Sequence, residues 1–128
     1  MREIAIGTSH TSTLLVTDSH TAIALGSGNL AVLGTPAMAA LMENAAMEAV
    51  APMLEVGESS VGTALNITHE RASAVGEKVS ATATVTAVEG RRIDFELCAL
   101  NQTGETIGKG VHTRFVVNVE KFMSKIGK

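Results

Sequence analysis

Thr35, Glu43 and His69 supply a hydroxyl, a carboxylate and an imidazole that could together make a polar site in an otherwise apolar protein. Thr35 opens the run Thr35-Pro36-Ala37-Met38-Ala39-Ala40-Leu41-Met42-Glu43, a small-residue helix with a carboxylate eight positions in. Polar groups in apolar surroundings need a partner or a task. Glu43 is either a solvated charge on a helix flank or a nucleophile or general base. Thr35 suits an N-cap, and the free N–H groups and positive dipole end of that terminus suit an oxyanion. Pro36 has no N–H, so such donors must come from Ala37 onward or from another loop. His69 closes Gly62-Thr63-Ala64-Leu65-Asn66-Ile67-Thr68-His69 on one face with Leu65 and Ile67. It is a packed strand residue or a proton carrier. Arg114, within His112-Thr113-Arg114-Phe115, makes a structural ion pair or orients a site.

Other reactive residues carry less. Cys98 alternates with Ile93, Phe95 and Leu97 and reads as a small packed residue. His10, His20 and His112 read as surface or strand residues, and no His, Cys or carboxylate spacing suggests a metal site. Gly26-Ser27-Gly28 lacks the rest of any nucleotide fingerprint. The formal charge is −3 with no basic block, and aromatics are 2% of the chain. Nucleic-acid binding is therefore not expected, by electrostatics or by base stacking. A single cysteine forms no internal disulfide and suits a reducing cytoplasm. Residues Ala22 to Met42 carry no charge, a length that invites a membrane span. Gly26-Ser27-Gly28-Asn29 and Gly34-Thr35-Pro36 break it with turn and helix-start chemistry, so no membrane segment is expected. Met1-Arg2-Glu3-Ile4 begins no apolar leader. The 128 residues suit one domain, 1–128.

These residues need elements to hold them. His10 to Thr17 reads as a strand, and Ala22 to Leu25 as a second extended piece. Gly26 to Gly34 is a loop with a helical turn at Asn29–Leu33. The helix starts with Thr35 as N-cap and Pro36 at its first position and runs to about Val50, before Pro52. Met38, Leu41, Met42, Ala45, Ala49 and Val50 form its apolar face, and the alanines make it thin enough for close approach. Period-two alternation follows: Thr63, Leu65, Ile67 and His69; Val79, Ala81, Ala83, Val85 and Ala87; Ile93, Phe95, Leu97 and Ala99; Val111, Thr113, Phe115, Val117 and Val119. The joints Val75-Gly76-Glu77, Glu89-Gly90-Arg91 and Gln102-Thr103-Gly104-Glu105 are short, as in an antiparallel meander. The expected fold is α+β, a curved antiparallel sheet of five to six strands wrapped around one long helix. The hot-dog fold has this order.

Eight helical residues rise ~12 Å, so Thr35 and Glu43 of one chain cannot act on the same carbonyl. Two antiparallel helices across a two-fold axis would bring Thr35 of one copy near Glu43 of the other. The expectation is a homodimer with two shared sites.

Taken together, the chain resembles the hot-dog acyl-CoA thioesterases, in particular the fluoroacetyl-CoA thioesterase-like branch. The resemblance runs from about Thr8 to Ile126. It is densest in Leu41-Met42-Glu43, Gly57-Glu58-Ser59-Ser60-Val61-Gly62-Thr63-Ala64, Thr68-His69, Val88-Glu89-Gly90-Arg91-Arg92 and Val119-Glu120-Lys121-Phe122. It implies that the branch's catalytic Thr, Glu and His are Thr35, Glu43 and His69, with Gly62 and Arg114 in support. It implies hydrolysis of a small or medium acyl-CoA at a dimer interface, in a homodimer or a pair of dimers, with no metal and no cofactor besides the CoA of the substrate. Glu43 would attack the carbonyl or activate water, His69 would carry protons, and Thr35, oriented by Arg114, would position substrate. Pro36 and Ala37 would sit at the carbonyl. One segment departs from the branch. Its lid is longer and rich in Phe and Pro, whereas Ala22 to Gly34 here is short, Gly-rich and without aromatics, so fluoroacetyl specificity is not implied. The alternatives are a non-catalytic acyl-CoA-binding module, a hydratase on the same scaffold, which lacks its Asp/His motif here, and a purely structural dimer.

Overall fold

The computed structural model describes residues 1–127, in which one curved antiparallel sheet wraps one long helix. Strand β1 (Ser9–Leu15) is followed by a one-turn helix α1 (Ala22–Leu25) and the long helix α2 (Thr35–Val50). Strands β2 (Glu58–His69), β3 (Lys78–Glu89), β4 (Arg92–Leu100) and β5 (Thr106–Asn118) come next, and a short helix α3 (Val119–Ser124) closes the described chain. The strand order is β1-β3-β4-β5-β2.

That order corrects the simple meander. The β3–β4 and β4–β5 joints are hairpins, but Val75-Gly76-Glu77 is not. Its Gly76 N–H donates to the Val16 carbonyl and Val16 N–H to Glu77, so the turn closes onto the end of β1, while β2 pairs with β5 at the far edge. Ala22 to Leu25 is helical rather than extended, because Thr21 Oγ1 accepts from the Ala24 N–H and Gly26 ends the turn in the left-handed region at φ 71°. No helical turn forms at Asn29–Leu33. Val32 and Leu33 instead make isolated bridges to Ala74 and Thr21.

The helix is buried along Met38, Leu41, Met42, Ala45, Ala46, Ala49 and Val50. It rests mainly on β1 and β3, and its coverage thins toward β5 and β2. Small side chains at Ala81 and Ala83 let it approach, and Ile93, Phe95 and Leu97 fill the floor. Two β-bulges set which residues face it. In β3 the register shifts between Val85 and Ala87, so Val88, opposite Ile93, faces the core and Ala87 does not. In β2 it shifts between Gly62 and Ala64, leaving Thr63 unpaired. An extra residue inverts the alternation. Gly62, opposite Arg114, and Leu65, Ile67 and His69, opposite His112, Gly110 and Gly108, therefore share the concave face.

A stability prediction follows at Gly108. A Cβ there would stand 2.7 Å from Met38 Cε and 2.8 Å from its sulfur, and closer still, at 2.5 Å, to the Thr68 carbonyl oxygen, which as backbone cannot give way. Gly108→Ala should therefore cost about 1–3 kcal/mol, read as a lower denaturant midpoint at unchanged slope.

Candidate active site

Met38 settles onto the side-chain-free position Gly108, which lies opposite His69 in the β2–β5 register. Thr35 is one turn before Met38, so the same contact hangs the helix N-terminus over the end of β2. Thr35 Oγ1 lies 2.8 Å from His69 Nδ1. That contact explains a difference from the sequence reading. Gly34, not Thr35, is the N-cap, and no side chain caps the helix. Thr35 is the first helical residue, so its hydroxyl faces the histidine instead of its own backbone.

His69 Nε2 is buried and has no hydrogen-bond partner among the described residues. Burial pushes the His69 pKa below its ordinary value, and the Arg71 backbone opposes the shift. Nδ1 donating to Thr35 leaves Nε2 as a base, whereas Thr35 donating to Nδ1 makes Nε2–H a donor. Thr35 and His69 line a cleft of about 240 Å³ together with Leu33 and Arg71. The oxyanion donors differ from expectation too. The Ala37 and Met38 N–H groups both donate to the Gly34 carbonyl, at 3.0 and 3.2 Å. Among the first three helical positions, Thr35 is the one whose N–H has no partner among the described residues. Pro36 and Ala37 line a separate apolar cleft of about 390 Å³ with Leu14, Leu25 and Leu41.

Glu43 belongs to a second group farther along the helix. Its Oε2 lies 2.9 Å from the point where a Gly62 Cβ would stand, with His112 Cε1 at 3.0 Å and Arg114 Nη1 at 3.4 Å from the same point. The missing side chain of Gly62 thus makes room for the carboxylate beside a histidine and an arginine. Arg114 is buried. Its Nε donates to Ser60 Oγ at 2.8 Å, Nη2 to the Ser60 carbonyl at 2.9 Å, and Nη1 to His112 Nε2 at 3.1 Å. Among the described residues no carboxylate lies within ion-pair distance of it. Burial lowers its pKa, and the charge of Glu43 acts in the opposite sense.

Sequence reasoning missed His112, which reads as a surface or strand residue but is 2% exposed. Arginine has only donors, so His112 Nε2 must accept, and Nδ1–H donates to the Ala64 carbonyl at 2.8 Å. The ring is held neutral. Burial lowers its pKa first, with a smaller push from Arg114, against the Ala64 carbonyl and Glu43. Ser60, the other holder of Arg114, was also missed.

One chain therefore assembles two separate polar groups. Thr35 and His69 meet, and Glu43, Gly62 and Arg114 meet. The two groups are separated along the helix by ~12 Å of axial rise. Arg114 stands with Glu43 and not beside Thr35, so it does not orient Thr35 of its own chain. Among the described residues no cluster of three or more His, Cys, Asp or Glu is arranged to hold a metal ion, and no helix is long and apolar enough to cross a membrane.

A family model described as fluoroacetyl-CoA-specific thioesterase matches residues 16–120. The fluoroacetyl-CoA thioesterase of Streptantibioticus cattleyicolor is 44% identical over 95 residues, 74% of this chain and 68% of that protein. A solved fluoroacetyl-CoA thioesterase structure superposes with a TM-score of 0.91 at 35% identity, covering 97% of this chain and 96% of that one. A thioesterase superfamily member from Thermus thermophilus gives 0.90 at 26% identity, covering 97% and 91%.

Proposed function

The chain belongs to the fluoroacetyl-CoA-specific thioesterase family and is an acyl-CoA thioester hydrolase, and from that premise we propose that its reaction runs in a site shared by two copies. The observation that carries the proposal is the pair of half-sites. Thr35 and His69, with a buried and unpartnered Nε2, lie at one end of the helix, and Glu43 beside Arg114 lies farther along it. An antiparallel pair of helices brings each half to its complement. The open edge supports this arrangement. Strand β2 has 12 residues, pairs among the described residues with β5 alone, and is exposed from Gly62 to Asn66. Long bare edges are ordinarily covered.

In the shared cleft the thioester carbonyl points its oxygen at the Thr35 N–H. As nucleophile, Glu43 displaces the thiolate to form a mixed anhydride that water then cleaves; as base, it orients and polarises the water that attacks the carbonyl directly. In either route His69 takes the proton that water loses, and that proton passes to the thiolate released when the C–S bond breaks. The net reaction is thioester plus water to carboxylic acid plus thiol, carried by protein side chains, with CoA entering only as part of the substrate. Arg114, fixed by Ser60 and His112, holds positive charge beside Glu43. The substrate class is a small or medium acyl-CoA, hydrolysed in the cytoplasm by the one domain that residues 1–128 form. The test is free-thiol release across acyl-CoAs from acetyl to long-chain and aromatic. Turnover of one class is expected, and tight binding without release from any would mark a binding module instead.

The lowered His69 pKa has a sign that can be read. A base with a depressed pKa stays neutral to lower pH, so the acid limb of kcat/KM should lie below about 6.5, the ordinary imidazole value. An acid limb above that value would mean that His69 is not the titrating base.

A further inference from the structure

We propose that the cleft between the β3–β4 turn and helix α3 binds the phosphorylated nucleotide end of the acyl-CoA substrate, through Lys121, Lys125 and Arg91 with Phe122. This rests on the acyl-CoA reading above. The cleft measures about 330 Å³, and these three cations line it. The chain as a whole carries a formal charge of −3, so a concave surface with three cations runs against the overall balance. By contrast, Lys109 shares its cleft with Glu96, and Arg71 shares its own with Glu70. Here Glu58 pairs with Arg91 at 3.1 Å and draws off part of that one charge. The two lysines make no ion pair with any described carboxylate.

The ligand chemistry matches. The nucleotide end of CoA carries a diphosphate and a 3′-phosphate, which call for several point charges, and an adenine, which calls for a flat apolar face. Phe122 is one of three phenylalanines in the chain and stays 37% exposed beside the lysines. A ring left in water next to cations is a stacking surface for a base. The mounting is firm. Asn118 Oδ1 accepts from the Lys121 N–H, and Val119 N–H donates to the Gly57 carbonyl.

The cleft also lies near the Glu43–Arg114 half-site. Val116 lines it, pairs with Ser60, and is two residues beyond Arg114 on β5. Two strand residues span ~7 Å, so a pantetheine arm can run from the Glu43–Arg114 half-site to the cations.

The experiment compares one acyl group on CoA and on pantetheine, which lacks the nucleotide. In K121E/K125E the KM for acyl-CoA should rise about tenfold or more, while the KM for acylpantetheine moves less than twofold. K121Q/K125Q should show a smaller rise in the same direction, and added salt should narrow the difference from wild type. An equal change on both substrates, or none on acyl-CoA, overturns the proposal. Calorimetric titration with CoA itself reads the same site without turnover: weaker binding to the variants supports the cleft, and undiminished binding refutes it. Absence of any thiol release together with charge-dependent CoA binding would defeat the hydrolase mechanism and leave the cleft standing.

Discussion

Glu43→Ala and His69→Ala should each lower kcat by about 10²–10⁴-fold, the range for a lost general acid or base, and mixing the two inactive proteins should restore activity. In a hybrid dimer, Thr35 and His69 of the Glu43→Ala chain face the intact Glu43 of the His69→Ala chain. The opposite site has lost both groups. Random exchange makes about half of the dimers hybrids with one working site of two, so about a quarter of wild-type turnover returns. The measurement is thiol release before and after co-refolding of the two variants, with each alone as control. If Thr35, Glu43 and His69 acted within one chain, mixing would restore nothing. Hybrids that assemble and stay inactive would therefore defeat the shared site while leaving the fold and the family untouched.

The second large effect is expected from one methyl group. Gly62 does not sit in the left-handed region, so Gly62→Ala faces a problem of space and not of backbone strain. The added Cβ would stand 2.9 Å from Glu43 Oε2 and 3.0 Å from His112 Cε1. The carboxylate is the far end of a flexible side chain and can move, whereas the His112 ring is held by the Ala64 carbonyl and Arg114. The fold should survive with a loss of about 1–2 kcal/mol. The displaced carboxylate should cost about 10²-fold in kcat, the penalty expected when a reacting group shifts by an ångström. Thermal unfolding and steady-state kinetics on the same sample separate the two losses. Unchanged kcat would show that Glu43 reacts from a position that Gly62 does not shape.

Much of this architecture is legible in the sequence. The long helix and its apolar face follow from residue spacing, and α2 ends at Val50 as the proline at 52 suggests. The failures share physical causes. Alternation along β5 picks out Val111, Thr113, Phe115, Val117 and Val119, yet the buried face is His112, Arg114 and Val116, while Val111 is 57% and Phe115 39% exposed. Hydropathy assigns the oilier side to the core, and here the inner side is polar because it holds Arg114 and its two supports. Only the tertiary hydrogen bonds to Ser60 and Ala64 reveal that. The N-cap reading of Thr35 failed in a related way. Local propensity favours a hydroxyl capping its own helix, and a partner 34 positions away in sequence took the hydroxyl instead. The joint before β3 misled because a short glycine turn looks the same whether it closes a hairpin or docks on another strand.

The unpaired Thr63 in β2 sets a rule for how this chain can vary in length. Loops such as Gln102 to Glu105 lie at the surface and tolerate added or lost residues. A shortened β2 without Thr63 would keep the composition and almost every hydrophobic group. Yet Leu65, Ile67 and His69 would rotate away from the helix relative to Gly62, and the imidazole would point off the sheet with no hydroxyl to meet it. Any homologue that omits this residue must either regain the odd count elsewhere between Gly62 and His69 or work without the histidine.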